Sequence, residues 1–160
     1  MELATTRGRE TLRPVAYTKN VMTKMNDLYT RTAQALAAQV AKALPESLHA
    51  VVLYGSVARG EARTTSDIDV LMLVDRPDTA RSPVSAIEED LDAGNNYRTF
   101  LNTLYFSVDD FRRSATAGSR LVQAILEEGK VLYDDGSFAG ICNEVLAGGR
   151  RDAVRREAHV

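Results

Sequence analysis

Two carboxylates, Asp67 and Asp69, stand one residue apart at the start of an apolar run. In an extended strand, residues two apart point to the same face, so these two side chains are expected to project together with Ile68 turned into the core. Neighbouring carboxylates repel each other unless a cation lies between them. Mg²⁺ typically takes one or two carboxylates together with substrate phosphate oxygens and water. The pair therefore predicts a Mg²⁺ site, although an Asp-x-Asp taken alone is more often a solvated turn or a helix cap.

A glycine–serine pair precedes these acids. Gly55 and Ser56 follow the apolar run HAVVLY, and Gly60 comes shortly afterwards. A strand that ends at such a pair and turns into a short helix presents free backbone N–H groups, which attract phosphate. A Walker A loop is excluded, because that motif needs Lys and Ser or Thr after its last glycine, where this chain has Glu61-Ala62. The stretch thus combines groups for phosphate with carboxylates for a metal.

The whole stretch GSVARGEARTTSDIDVLMLV resembles the signature of the nucleotidyltransferase superfamily typified by DNA polymerase beta, and most closely its minimal nucleotidyltransferase branch. The resemblance implies a polymerase beta-like fold, with ATP or another nucleoside triphosphate as substrate and Mg²⁺ as cofactor. It implies that Asp67 and Asp69 are catalytic residues and bind the metal. The nucleotide-binding residues it implies are Gly55, Ser56, Arg59 and Ser66. For Arg59, an ordinary surface arginine is an equally weighted alternative.

Active members of this family carry a third carboxylate on a later strand that faces the aspartate pair. Counting back from the next predicted helix places its counterpart at Asn102. An asparagine can offer a metal its carbonyl oxygen, but it is neutral and cannot act as a base. We expect Asn102 to face the aspartate pair across the sheet. A shift in register would bring Thr103 or Asp92 nearer to the metal, and both alternatives stay open.

Two classes of function follow from this resemblance. The first is a Mg²⁺-dependent nucleotidyltransferase that moves a nucleoside monophosphate, AMP from ATP in the favoured form, to a hydroxyl. The favoured acceptor is a tyrosine on a HEPN-type toxin, with this chain as the antitoxin; a small hydroxylated antibiotic of the aminoglycoside type is the alternative. The second class is a catalytically impaired module that binds nucleotide or its partner, and Asn102 favours it. A homo-oligomer is left open. Tyr97 and Arg98 could border the acceptor site, although an ordinary turn is the favoured interpretation.

The elements that position these residues follow from hydrophobic periodicity and from turn residues. They predict an α/β (α+β) fold: a small mixed β-sheet flanked by helices. Residues 1–16 are expected to form a flexible N-terminal segment, 17–148 a single nucleotidyltransferase domain and 149–160 a basic C-terminal tail. The predicted strands are 49–54, 69–74, 99–107 and 130–133. The predicted helices are 21–44, one beginning at Ser82-Pro83, one capped by Ser107, 121–128, and one from Phe138 to just before Gly148-Gly149. A weak extension of this last helix through the tail RRDAVRREAHV stays open.

Composition narrows the class of protein further. The chain has 160 residues, 44% hydrophobic and 26% charged, which suits one domain with a core of its own. A net charge of −2 argues against a broad nucleic-acid-binding surface. A single cysteine and two histidines make a disulfide framework or a zinc site improbable. No apolar run approaches the roughly 20 residues of a membrane span, and no signal sequence is recognised, so a cytoplasmic protein is expected.

Overall fold

The computed structural model of the protein describes residues 15–157, and the side chains of residues 21–149 within that range. Most of the predicted N-terminal segment and the side chains of the basic C-terminal residues therefore lie outside the described part. The helices are α1 (Val15–Ala43), α2 (Gly55–Ala58), α3 (Pro77–Gly94), α4 (Val108–Thr116), α5 (Arg120–Glu128) and α6 (Ser137–Glu157). The strands are β1 (Leu48–Tyr54), β2 (Ile68–Val74), β3 (Leu101–Phe106) and β4 (Lys130–Asp134).

The four strands form one mixed sheet in the order β3-β2-β1-β4. Strand β1 pairs antiparallel with both β2 and β4, whereas β2 and β3 run parallel. Strands β1 and β2 thus form the centre of the sheet, and β3 and β4 form its edges. The predicted fold class, a small mixed sheet flanked by helices, is confirmed.

Helices cover both faces of this sheet, which explains the nearly continuous apolar character of β2. Ile68, Val70 and Met72 point to one side and pack in the core cluster that α1 and α3 complete. Leu71 and Leu73 point to the other side and pack with residues of α4, α5 and α6. Since Asp69 has the same parity as Leu71, it lies on the α4–α5–α6 side of the sheet, near the start of β2.

Two predicted helix starts were wrong. Helix α1 begins at Val15 rather than at residue 21. Helix α3 begins at Pro77, and Pro83 lies inside it rather than at its start. Pro77 fits the first helical turn, where a proline lacks no hydrogen bond. Pro83 cannot donate the backbone hydrogen bond of its position, and the burial of Ala80 and Val84 in the core offsets that loss. Helix α6 continues through Gly148 and Gly149 to Glu157, which agrees with the alternative that the tail extends this helix. Glycine weakens a helix by about 1 kcal/mol per residue but does not by itself end one.

Among the helices that the structure describes, none is both long enough and apolar enough to cross a membrane.

Candidate functional site

Asp69 lies between residues of both neighbouring strands. In the register of the sheet it stands opposite Tyr54 on β1 and opposite Asn102 on β3. The Asn102 side chain donates a hydrogen bond from Nδ2 to Oδ1 of Asp69 over 3.1 Å. Asn102 therefore faces Asp69, in the position that the resemblance assigns to a third carboxylate.

Thr103 and Asp92, the two open alternatives for the position of the third carboxylate, form hydrogen bonds with other residues. Thr103, the next residue on β3, has the opposite parity, and its hydroxyl donates to the Glu88 carboxylate on α3. Asp92 is buried at the end of α3, where it accepts a 2.6 Å hydrogen bond from the Thr99 hydroxyl and a 3.2 Å bond from the Leu101 amide. Asp92 thus fixes the chain that enters β3, and neither residue joins Asp69.

Gly55 lies directly against the Asp69 carboxylate. It follows β1 without a linking residue and has a φ of +76°, a conformation that favours glycine. A Cβ atom on this residue would lie 2.6 Å from Oδ2 of Asp69, so no side chain fits between the turn and the carboxylate. Because the first N–H groups of a helix have no partner within it, the turn at Gly55-Ser56 presents donors next to Asp69. The two parts of the sequence motif are therefore adjacent in the fold.

Asp67 is exposed just before β2, at a pocket of about 450 Å³. Ser66 also lines this pocket, and its hydroxyl oxygen accepts a 2.8 Å hydrogen bond from the Arg63 amide, which closes the turn before the strand. The walls include Met25 and Leu28 from α1 together with Tyr97 and Arg98. Tyr97 and Arg98 thus line the same pocket as Asp67. The Ser66 side chain forms a hydrogen bond within its own turn, in addition to its predicted role in nucleotide binding.

The turn that carries Tyr97 has an unusual backbone. Asn96 and Tyr97 have φ values of 53° and 54°, in the left-handed region that non-glycine residues rarely adopt. The Tyr97 amide donates a 2.8 Å hydrogen bond to the Asp92 carbonyl oxygen, and the Asn95 side chain donates to the hydroxyls of Thr32 and Thr99 over 3.1 and 3.2 Å. These bonds hold the turn in place at the pocket.

Arg59 ends α2 and pairs with two carboxylates. Its Nε donates to Oε2 of Glu61 and its Nη1 donates to Oε2 of Glu128, each over 3.1 Å. The two acids raise the pKa of the guanidinium above its ordinary value, Glu61 contributing most. The sequence predicted a surface arginine or a phosphate ligand, and did not predict the pairing with Glu128, which lies 69 positions later in the chain.

Tyr54 is a neighbour of the site that sequence reasoning missed. Its half-buried hydroxyl has a raised pKa, first because of burial and second because of the negative charge of Asp69. The register in which β1 pairs with β2 places Tyr54 opposite Asp69, and the sequence alone does not give that register.

In chemical type, the residues present fit one Mg²⁺ ion together with the phosphate oxygens of a nucleotide: two carboxylates, Asp67 and Asp69, and the neutral amide of Asn102. Asn102 contacts Asp69 directly, whereas Asp67 lies at the pocket that α1 helps to line. Within the described residues, no group of three histidine, cysteine, aspartate or glutamate side chains is arranged to hold a metal on its own. The arrangement is suited to a metal that a bound triphosphate helps to coordinate.

Comparisons with known proteins give a family match. The family model described as "Polymerase beta, Nucleotidyltransferase" matches residues 38–137, which include every predicted site residue. No curated protein matches the sequence.

Several solved structures resemble the fold. A toxin–antitoxin crystal structure with AMP-PNP has a TM-score of 0.49 and 18% identity, over 78% of this chain and 93% of that chain. The toxin–antitoxin MntA–HepT has a TM-score of 0.45 and 16% identity, over 80% of this chain and 93% of that chain. A tri-AMPylated Shewanella oneidensis HEPN toxin in complex with MNT antitoxin has a TM-score of 0.42 and 13% identity, over 80% of this chain and 92% of that chain.

Proposed function

Since the chain belongs to the polymerase beta nucleotidyltransferase family, we propose that it binds ATP with Mg²⁺ and transfers AMP to a hydroxyl group of another molecule. The observation that carries this proposal is the contact of the Gly55 turn with the Asp69 carboxylate, where a Cβ atom would come within 2.6 Å of the carboxylate oxygen. The proposed phosphate donors and the proposed metal-binding acid would thereby lie side by side. The proposed nucleotidyltransferase domain comprises residues 17–148.

Each site residue then has a distinct role. The backbone N–H groups at Gly55 and Ser56, with the Ser56 hydroxyl, would hold phosphate oxygens of the nucleotide. Asp67 and Asp69 would bind Mg²⁺, which supplies positive charge that offsets the charge developing on the phosphate oxygens. Arg59, three residues after Ser56 and so on the same side of α2, would add a second positive charge.

The reaction exchanges a phosphoanhydride bond for a phosphate ester bond. The oxygen of the acceptor hydroxyl attacks the α-phosphorus, the bond from that phosphorus to the oxygen bridging to the β-phosphate breaks, and pyrophosphate leaves. The proton of the acceptor hydroxyl goes to solvent water. Asn102 cannot take that proton, because its amide is not a base at neutral pH.

A phenolic acceptor suits a site without this base. Tyrosine has a pKa of about 10, several units below that of an aliphatic alcohol, so its hydroxyl needs less help to lose a proton. The acceptor we propose is therefore a tyrosine of a partner protein. A HEPN-type toxin is the partner class that the resemblance of the motif implies, with this chain as its antitoxin.

A second candidate function is a nucleotide-binding regulator with little catalytic rate. The Asn102–Asp69 hydrogen bond favours it, because the position of the third carboxylate carries a neutral donor. Such a protein would bind Mg²⁺ and ATP through the same residues and act by contact with its partner.

Calorimetric titration with ATP tests the shared premise. We expect binding in Mg²⁺ and little binding in EDTA, and we expect the double variant Asp67→Asn/Asp69→Asn to lose the Mg²⁺-dependent part. The double variant Asp78→Asn/Asp90→Asn, which removes the same charge from exposed positions on α3, is the matched control and should bind like the wild type. If the wild type is folded and does not bind, the proposed function is wrong. Transfer of labelled AMP to a tyrosine-containing partner then separates the enzyme from the regulator.

A further inference from the structure

The C-terminal end of α5 is fixed tightly against the sheet. Val122 and Ile125 are fully buried on its inner side. Gly129, which follows the helix, has no space for a side chain: a Cβ atom there would lie 2.4 Å from the Ile125 carbonyl oxygen and 2.6 Å from Cγ1 of Val52 on β1. The residue just before it, Glu128, is therefore presented from a rigid position beside α2.

Glu128 occupies an electrostatically poor position in its own helix. The C-terminal end of a helix carries a partial negative charge that favours cations and opposes carboxylates. Helix α5 nevertheless ends with Glu127 and Glu128, and it has no basic residue in its last turn. The positive charge of Arg59, the residue that follows α2, compensates Glu128: Nη1 of Arg59 lies 3.1 Å from Oε2 of Glu128.

The Arg59 guanidinium is therefore already paired with two carboxylates before any nucleotide binds. Glu61 and Glu128 occupy donors on its Nε and Nη1, and the three side chains together carry a net charge of −1. A guanidinium whose charge is already balanced by two carboxylates attracts a phosphate group less than a free one does. The pairing with Glu128 thus opposes the role that Arg59 has in the proposed function.

We propose that Glu128 competes with the nucleotide phosphates for Arg59 and thereby lowers the affinity of the site for nucleoside triphosphates. This inference rests on the proposed function. When the phosphates bind, Arg59 turns from Glu128 towards them, and Glu128 is left unpaired at the negative end of α5. The unfavourable energy of that unpaired carboxylate weakens nucleotide binding.

The variant Glu128→Gln tests this competition, because it keeps the shape and the hydrogen-bonding oxygen and removes the charge. Glu127→Gln is the matched control: it removes the same charge from the same helix end, at an exposed residue beside the pair. By calorimetry with ATP and Mg²⁺, we expect Glu128→Gln to bind roughly two- to fivefold more tightly, the effect of an exposed ion pair. We expect Glu127→Gln to remain close to the wild type, and the gain from Glu128→Gln to disappear when Arg59 is also changed to Ala.

Three results would overturn the competition: no gain from Glu128→Gln, an equal gain from Glu127→Gln, or a gain that persists without Arg59. The failure of the proposed function is distinct, since it requires that the wild type lack Mg²⁺-dependent binding sensitive to Asp67→Asn/Asp69→Asn. If the wild type binds in the expected Mg²⁺-dependent way and only Glu128→Gln binds more tightly, the competition is supported. If neither protein binds, both proposals are wrong.

Discussion

Replacing Asn102 by Asp changes the electrostatics around Asp69 in a way that depends on Mg²⁺. The wild-type amide donates a 3.1 Å hydrogen bond from its Nδ2 to Oδ1 of Asp69. The variant removes that donor and places a second negative charge opposite Asp69 in the register of β2 and β3. Without a cation, the two carboxylates repel each other.

The magnitude follows from the separation and the exposure. Two unit charges about 4 Å apart repel by about 1 kcal/mol in water and by about 4 kcal/mol at the effective dielectric constant of a protein surface. Because Asn102 is exposed, the lower end applies, and the lost hydrogen bond adds about 1 kcal/mol. We therefore expect the free energy of unfolding of Asn102→Asp in EDTA to fall by about 2 kcal/mol. For a chain of this size that corresponds to a Tm lower by roughly 4–8 °C.

Thermal unfolding in EDTA and in Mg²⁺, with and without ATP, measures this effect. We expect Mg²⁺ with ATP to raise the Tm of Asn102→Asp more than that of the wild type, because the new carboxylate adds a charged ligand. AMP transfer should rise as well, since this carboxylate can accept the proton of the acceptor. Asn102→Ala is the control, because it removes the hydrogen bond without adding charge. If Asn102→Asp shows the same response to Mg²⁺ as Asn102→Ala, the reasoning that places position 102 at the metal site is refuted.

Two further predictions concern the ends of β1. Gly55→Ala should lower the free energy of unfolding by about 1–3 kcal/mol and abolish nucleotide binding, because its Cβ would lie 2.6 Å from the Asp69 carboxylate in a left-handed conformation. Chemical denaturation measures the stability and calorimetry measures the binding. A variant as stable as the wild type would contradict this prediction. At the other end, the ring nitrogens of His49 contact Asp75 and Asp135, and these contacts, that with Asp75 most, raise the pKa of His49. The resulting stability is fully present below pH ~6.5 and is lost as the pH rises through the higher pKa of the folded state. Tm measured from pH 5.5 to 9 should therefore fall for the wild type more than for His49→Gln, and parallel curves would contradict this.

Local patterns in the sequence predicted the strands well. Strand β2 was predicted within one residue, since an apolar run bounded by acids has few alternative interpretations. The position of Asn102 near the aspartate pair was expected from the family resemblance, by counting back from the helix that Ser107 caps. The register of β2 and β3 places Asn102 opposite Asp69. The Ser107 hydroxyl does accept the Asp110 amide hydrogen bond, over 3.1 Å.

Other features depend on contacts that no local pattern records. The pairing of Arg59 with Glu128 requires α5 to pack beside α2, and the contact of Tyr54 with Asp69 requires the register of two strands. The start of α3 was misplaced because Ser82-Pro83 carries the stronger local start signal, a serine before a proline, whereas Arg76 before Pro77 makes no capping hydrogen bond. The first turns of α3 pack against the core through Ala80, a contact that the local pattern does not record.

Asn102 lies on β3, an edge strand of the sheet, outside both hydrophobic cores. Its side chain is exposed and contacts Asp69 without contributing to either core, so exchange between asparagine and aspartate leaves the packing of the sheet intact. A single nucleotide change interconverts the codons of these two residues. The charge beside Asp69 can therefore change, and change back, in one mutational step.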